Sequence, residues 1–118
     1  MRAPERRRDG DVETLEFAVH VSPDLRWFRG HFDDNPILPA MVQLREALFI
    51  VRDVWPDVGA LRRVTKAKFR KPIRPLDPLR LKLRKKRGER KATFRYLRDD
   101  GTCSSGTLEF QASSSEGA

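Results

Sequence analysis

Residues 28–43 have the sequence FRGHFDDNPILPAMVQ, which begins as a loop and ends inside a helix. Glycine, aspartate, asparagine and proline in its first half are typical of a loop. Pro39 suits the first position of a helix, because its missing N–H costs no hydrogen bond there. Good helix formers follow from residue 40 to about residue 54. Since apolar side chains lie nearly all round this segment, it predicts one buried helix.

Alternating apolar and polar residues predict strands on both sides of this helix. Before it, residues 12–21 place Leu15, Phe17, Val19 and Val21 on one face. After it, the same period of two recurs in four segments, at residues 64–70, 79–84, 92–97 and 103–111. The turn signal Asp-Asp-Gly at 99–101 joins the last two segments as a hairpin. We expect these four strands to form a meander.

The order of elements predicts an α+β fold, in which an antiparallel sheet of about five strands wraps around one central helix. A single sheet covers one side of such a helix, so we expect a second subunit to cover the other side. At 118 residues the chain is long enough for one domain. We assign this domain to residues 12–112, between an Arg-rich flexible N-terminus (1–11) and a flexible Ser-rich tail (113–118).

The composition excludes several classes of protein. No apolar run approaches the roughly 18 to 20 residues of a membrane span, so we expect no membrane-spanning segment. The single cysteine, Cys103, excludes a disulfide framework, and we expect a cytoplasmic protein. The chain has no GxSxG or HExxH motif, no glycine-rich phosphate loop and no cluster of metal ligands. It therefore predicts neither a metal nor another cofactor.

The net charge of +8 is unevenly placed, with fifteen Lys and Arg against two acids between Arg62 and Lys91. Such a surface attracts an acidic partner, which can be nucleic acid, an acidic carrier protein or an anionic membrane. The alternative is that these charges only keep one face of the sheet solvated. Nucleic acid is disfavoured, because the basic residues alternate along strands without the aromatic platform that a single-strand binder uses.

His31 is the side chain best placed for chemistry. It follows Gly30 in the loop and is flanked by aromatic residues. Loops on a rigid scaffold carry reactive groups, and histidine transfers protons near neutral pH. The alternative role is structural, with His31 pinning the loop. His20 lies on the polar side of the first predicted strand, and we expect no role for it.

Three segments resemble the hotdog-fold β-hydroxyacyl-acyl-carrier-protein dehydratases. Residues 28–43 are similar to the family's GHF segment, followed by the proline-bounded turn P-x-x-P-G that opens the central helix. Residues 68–77, KFRKPIRPLD, resemble the family's K-F-x-x-P-x-x-P-G-D segment. Residues 99–110 resemble its last hairpin. Gln43 and the short chain look closest to the ApeI-like branch found beside aryl-polyene synthases, and the similarity covers about residues 13–111.

The resemblance implies a hotdog dimer that removes water from a (3R)-hydroxyacyl thioester held on an acyl carrier protein. The histidine matching His31 takes the α-proton, and an acid on the central helix of the other subunit handles the departing hydroxyl. The helix start near Ala40 receives the thioester carbonyl, where free N–H groups stabilise a negative oxygen. The residues that we assign to the substrate site, besides His31, are Gly30, Phe32, Leu38, Ala40, Gln43 and Arg45.

The chain departs from the family at the acid. The family's helix acid falls on Arg45 here, and arginine stays charged and cannot exchange a proton with a leaving hydroxyl. Glu46 is adjacent, but one residue along a helix turns the side chain by about 100°. Glu46 is therefore a candidate displaced acid, or a residue of an ion pair or dimer contact. Asp33 and Asp34 are further candidates for the missing acid.

Two glycines of the family's pattern are also replaced. Ala40 keeps the backbone N–H, but its methyl group can crowd the thioester. Leu76 stands for the glycine of the P-G-D segment. Gln43 lies one turn into the helix, where it either donates a hydrogen bond to substrate or acts as a structural amide.

Two other functions remain open at this point. The first is a hotdog subunit that has lost its acid and binds an acyl chain or completes a heterodimer with an active partner. The second is an acyl thioesterase, because the same fold supports hydrolysis. Hydrolysis requires a carboxylate aimed at the thioester or at a water molecule, which Glu46 or Asp33 would supply.

Overall fold

The computed structural model describes residues 5–21 and 37–111, which form one helix and six strands. The elements are β1 (Glu5–Asp9), β2 (Val12–Val19), α1 (Ala40–Val54), β3 (Leu61–Phe69), β4 (Leu79–Lys86), β5 (Lys91–Arg98) and β6 (Gly101–Phe110), with a 3-10 turn at Pro56–Val58. The strands make one antiparallel sheet in the order β1-β2-β4-β5-β6-β3. Within these residues, no helix is long and apolar enough to cross a membrane.

Strand β4 shows how the sequence builds the core. Leu79, Leu81 and Leu83 are buried, whereas the intervening basic residues are exposed. Because successive side chains of a strand point to opposite faces, the sheet has an apolar inner face and a charged outer face. Helix α1 packs on the inner face through its buried residues, which include Val42 and Val51. This is the α+β arrangement that the sequence predicts.

The sheet has six strands where about five were predicted, and the additional strand, β1, lies in the N-terminal segment that was predicted to be flexible. All five residues of β1 are exposed, so the strand carries no apolar alternation that a sequence pattern could reveal. The strand is held in the sheet by backbone pairing with β2, in which Glu5 lies opposite Glu16 and Asp9 lies opposite Val12. Pairing of this kind depends on the partner strand and not on burial.

The predicted meander is correct for β4, β5 and β6 but wrong for β3. Strand β3 pairs with β6 at the far edge of the sheet, and β4 lies between β2 and β5. Residues 70–78, which contain three prolines, carry the chain from that edge back to β4. Both edges of β4 are occupied by other strands, so β3 has no free partner there.

Within the single chain, helix α1 is buried on one side and exposed on the other. Met41 is 72% exposed and Phe49 is 47% exposed, and both lie on the side away from the sheet. The reason is geometric, because one sheet covers only one side of a helix. Coverage of the other side by a second subunit stays a prediction.

A buried carboxylate joins β1, β2 and the end of α1. Glu13 is 8% exposed, and its Oε1 accepts a 2.7 Å hydrogen bond from Trp55 Nε1. Its other oxygen lies 3.3 Å from the Arg8 guanidinium and 3.5 Å from that of Arg6. Burial alone raises the pKa of Glu13, but the Trp55 hydrogen bond and the two arginines outweigh it, so the net pKa is lowered.

We expect Glu13→Gln to lower stability by about 1 kcal/mol at neutral pH, because the charge-assisted contacts become neutral ones. Since the pKa of Glu13 is lower in the folded state, its contribution is full above the ordinary value of 4.5 and is lost as the pH falls through the folded pKa. Thermal unfolding of both proteins at pH 7 and pH 3 tests this. A stability difference that is the same at both pH values would contradict it.

Candidate active site

A cleft of about 840 Å³ opens between α1 and the β2–β4 side of the sheet. Its walls are mainly apolar, and its polar side chains among the described residues are His20, Glu46, Asp77 and Tyr96. The apolar lining residues are Ala18, Val19, Val21, Leu38, Val42, Ile50, Leu76, Pro78, Leu79 and Leu81. An apolar cleft with a few polar groups is the usual form of a small-molecule site.

The start of α1 lies at this cleft and has free hydrogen-bond donors. Pro39 precedes the helix, its carbonyl accepts the N–H groups of Val42 and Gln43 at 3.1 Å, and no side chain in the described part caps this end. The first turn contains no acidic residue. The N–H groups of Ala40 and Met41 therefore belong to the unsatisfied donors of a helix N-terminus, which favour a negative oxygen.

Gln43 ties this helix start to the sheet. Its Nε2 donates to the Leu38 carbonyl at 3.0 Å, and its Oε1 accepts from Ser104 Oγ at 2.7 Å. The Tyr96 hydroxyl donates to the Gln43 carbonyl at 2.8 Å. Gln43 is only 4% exposed, and Ser104 and Tyr96 are also buried. Of the two roles left open by the sequence, the structural amide is the one these contacts support, while contact with substrate stays a prediction.

We expect Gln43→Leu to destabilise the protein by about 2–3 kcal/mol, because it leaves the Leu38 carbonyl and the Ser104 hydroxyl buried without partners. Ser104→Ala removes only one of these bonds and is expected to cost about 1 kcal/mol. Denaturant unfolding of the two variants measures both values. Equal stability of Gln43→Leu and wild type would show that these bonds do not hold the helix start.

Glu46 and Arg45 lie in different surroundings. Glu46 lines the cleft. Burial raises the pKa of the Tyr96 hydroxyl, and the negative charge of Glu46 raises this pKa further. Glu46 is therefore close enough to interact electrostatically with Tyr96 in the cleft wall. Arg45 and Glu46 are both exposed, and the Arg45 guanidinium lies over the Phe49 ring, 5.2 Å from its centroid. Neighbouring residues of a helix point in directions about 100° apart, which is why Glu46 lines the cleft and Arg45 does not.

Leu76 occupies a backbone conformation that favours glycine. Its φ is 66°, in the left-handed region, where a residue with a side chain is disfavoured by about 1–2 kcal/mol. The Leu76 N–H donates to the Val21 carbonyl at 2.8 Å, and its side chain is 67% exposed at the cleft. The glycine of the family's P-G-D segment fits this conformation, so replacement by leucine adds apolar surface to the cleft at a cost in backbone strain.

Several predicted site residues lie outside the described residues. They are Gly30, His31, Phe32, Asp33 and Asp34. Val21 and Leu38, which stand on either side of this segment in the sequence, both line the cleft.

Sequence reasoning missed two residues of the cleft. Tyr96 is the single tyrosine of the chain. In the sequence it is one of the alternating residues of β5, and nothing marks it as part of a site. His20, for which no role was expected, lines the cleft from the end of β2. Neither position has a local signal, because the cleft forms only when β2, β4 and β5 meet α1.

Comparison with known proteins identifies the family. The ApeI-like family, whose description is ApeI dehydratase, matches residues 6–107. This chain belongs to the ApeI-like family. The hotdog fold and the family that the sequence resemblance implies are thereby confirmed.

Individual relatives of the ApeI-like chain agree with this assignment. FabZ of Protochlamydia amoebophila (strain UWE25), a 3-hydroxyacyl-[acyl-carrier-protein] dehydratase, is 37% identical over 69 residues, which are 53% of this chain. The chain spans 45% of the length of that relative. A solved protein of unknown function from Erwinia carotovora subsp. atroseptica is 30% identical with a TM-score of 0.80, covering 93% of this chain and 95% of its own.

A further solved structure is the dehydratase heterocomplex ApeI:P from Xenorhabdus doucetiae. It is 26% identical to this chain with a TM-score of 0.72, and the match covers 92% of this chain and 97% of the other. This agreement shows that the two chains share the same fold.

Proposed function

We propose that this protein is a dehydratase that removes water from a (3R)-hydroxyacyl thioester on an acyl carrier protein. The observation that carries the proposal is the placement of Glu46 in an apolar cleft that begins at the uncapped start of α1. This combination supplies a proton-transfer group, a site for the thioester oxygen and a surface for a hydrocarbon chain. Membership of the ApeI-like family supports the same reaction class.

The thioester carbonyl binds at the start of α1. Its oxygen gains negative charge when the α-proton leaves, and the N–H groups of Ala40 and Met41 with the positive helix end stabilise that charge. The contacts of Gln43 to Leu38 and Ser104 hold this turn in place, so Gln43 acts as a positioning residue. The acyl chain lies along the apolar walls formed by Val42 and Leu81, where burial of its methylenes supplies binding energy.

The elimination needs one base and one acid. His31 takes the α-proton from C2, and that electron pair forms the C2=C3 double bond. The bond between C3 and its hydroxyl breaks, and the proton of the Glu46 carboxyl group joins the departing oxygen to give water. The proton held by His31 then returns to Glu46 through solvent, which restores both groups.

We propose that a second hotdog subunit covers the outer side of α1. Met41, Arg45 and Phe49 follow one another at intervals of four residues, so they form one exposed stripe along the helix. The stripe combines two large apolar side chains with a cation stacked on one of them. The partner is a second copy of this chain or a different hotdog subunit, and the related ApeI:P assembly is a heterocomplex.

The carrier protein is proposed to approach through the basic segment 62–91, because acidic surfaces are attracted by the fifteen cations there. The reaction needs no metal or cofactor in this proposal. Location in the cytoplasm stays a prediction from the single cysteine.

A second candidate function is a subunit that binds the acyl chain without turning it over alone. Arg45 is the residue in its favour, because the resemblance places the family's acid there and arginine cannot supply the proton; its exposed side chain lies over Phe49. In that case a partner subunit brings the acid, and Glu46 only lines the cleft.

The experiment is to incubate the purified protein with a short (3R)-hydroxyacyl carrier thioester and to follow the carrier by mass spectrometry. We expect the loss of one water from the bound acyl group. An unchanged substrate that reacts only when another hotdog subunit is added would favour the second candidate. Release of the free acid would identify a thioesterase and contradict the proposal.

A further inference from the structure

The outer face of the sheet carries a second cleft of different character. It has a volume of about 540 Å³ and lies on the side turned away from α1. We call it the basic groove, and its cations are Arg7, Lys66, Lys68, Lys82, Arg84 and Arg95. Four hydroxyl side chains lie between them, at Thr14, Thr93, Ser105 and Thr107, and Asp9 is the one acid in the described lining. The lining is thus built from hydrogen-bond donors and positive charge.

The cations of the basic groove are close together and outnumber the acids beside them. Lys82 lies directly opposite Arg95 on the neighbouring strand, and Ser105 separates Arg95 from Lys68 in the same row across the sheet. Like charges that face each other across strands are destabilising. Among the described residues, no carboxylate forms an ion pair with any of the six groove cations. Glu16 lies opposite Lys82 on the next strand, but its carboxylate contacts Arg80 at 3.4 Å. Within the described residues the repulsion is therefore only partly offset.

The bulged strand β3 contributes two lysines to the basic groove. Thr65 pairs with Thr107 and Lys68 pairs with Ser105, so β3 has one more residue than β6 between these two pairs. In a regular strand Lys68, three residues after Thr65, would lie on the opposite face; the extra residue brings it opposite Ser105 on the groove side, where Lys66 also lines the groove. Lys66 has a φ of 55°, a left-handed conformation that costs a lysine about 1–2 kcal/mol. Backbone strain and charge repulsion thus occur together in the basic groove.

The span of the basic groove indicates an extended anion. Arg7 on β1 and Lys68 on β3 lie at opposite edges of the six-stranded sheet. With roughly 4.8 Å between neighbouring strands, the sheet is about 24 Å wide from one edge strand to the other. A single phosphate or carboxylate would neutralise only part of that length. An extended chain of about seven residues covers it, at 3.3–3.6 Å for each residue.

We propose that the basic groove binds an acidic polypeptide segment of a partner protein. Carboxylates match the alternating cations and hydroxyl donors of the lining. Nucleic acid fits less well, because Phe94, the one aromatic residue in the lining, is 1% exposed and offers no ring for base stacking. The basic groove shares Lys66, Lys68, Lys82 and Arg84 with the segment proposed above for the carrier protein. It lies on the opposite side of the sheet from the cleft, so peptide binding here is tested separately from dehydration.

Fluorescence anisotropy with a labelled glutamate peptide of about ten residues tests the proposal. We expect saturable binding at low salt, weakening as salt rises. The variant Lys82→Glu/Arg84→Glu/Arg95→Glu reverses three groove charges and is expected to weaken binding by about tenfold or more. The matched control Arg62→Glu/Arg70→Glu/Arg87→Glu changes the net charge equally at exposed positions outside the groove. It is expected to weaken binding by less than about threefold.

Equal weakening by the two triple variants would overturn the proposal, because net charge and not the groove would then attract the peptide. Absence of saturable binding, or tighter binding of a single-stranded DNA or RNA of the same length, would also overturn it. If the Glu variant does not fold, Lys82→Gln/Arg84→Gln/Arg95→Gln replaces it and must still weaken binding more than its Gln-substituted control.

Discussion

Replacing Glu46 with glutamine is expected to lower the rate of dehydration by about 100-fold or more, because an amide cannot donate the proton that the departing hydroxyl needs. Glutamine keeps the size and polarity of the side chain, so substrate binding is expected to change little. Single-turnover measurements with saturating substrate separate the chemical step from binding. The same variant leaves the contacts of Gln43 and the cleft walls untouched, so its folding is expected to match wild type.

Arg45→Gln is the matched control for this variant. It changes the neighbouring residue, which stacks on Phe49 outside the described cleft lining. The rate is expected to stay within about threefold of wild type. The reverse result, a large loss for Arg45→Gln and none for Glu46→Gln, would show that the proton is handled from the outer side of α1.

Replacing His31 with alanine is expected to have a comparable or larger effect, a loss of about 100- to 10,000-fold in dehydration, because the α-proton then has no positioned base. Product mass spectrometry measures the rate, and far-ultraviolet circular dichroism checks that the variant folds. His31 follows Gly30 in the segment that carries the family resemblance, which is the basis of its role.

The second histidine of the chain provides the control. His20 also lines the cleft, but the proposed mechanism does not use it. His20→Ala is therefore expected to retain activity within about threefold. If His20→Ala abolishes activity while His31→Ala does not, the base has been assigned to the wrong histidine.

The helix and the central strands were predictable because their signals are local. Pro39 and the helix formers after it set the bounds of α1, which the structure places at Ala40–Val54. The leucines of β4 alternate with cations because one face of the strand is buried. Strand β1 has no such signal, since all its residues are exposed and its order depends on pairing with β2. The pairing of β3 with β6 likewise depends on the whole sheet and not on a pattern within β3.

The candidate site was predictable in part. The resemblance predicts the family's acid position at Arg45, with Glu46 beside it, and helix geometry separates the two side chains by about 100°. It does not say which of them points to the sheet, because that depends on how α1 packs. The sequence also does not say whether Gln43 contacts substrate or acts as a structural amide. Its buried hydrogen bonds with Leu38 and Ser104 support the structural role.

The positive charge of the basic segment was predictable from the sequence, but the groove that it helps to form was not. The excess of cations between Arg62 and Lys91 is evident from composition, and alternation places them on the outer face of strands. Their assembly into a groove requires Arg7 from β1 and Arg95 from β5, which lie outside that segment of the sequence. The bulge that places Lys68 opposite Ser105, on the groove side, also depends on the register with β6.

The most direct measurement is a crystal structure of the protein bound to a (3R)-hydroxyacyl pantetheine amide, in which nitrogen replaces the thioester sulfur. The account predicts that the acyl chain lies in the cleft beside Val42 and Leu81. Its carbonyl should lie at the Ala40 N–H, and its C3 hydroxyl should lie about 3 Å from the Glu46 carboxylate. An acyl chain bound outside this cleft, or a C3 hydroxyl directed away from Glu46 and towards another acid, would contradict the assignment of Glu46 and of the cleft as the active site.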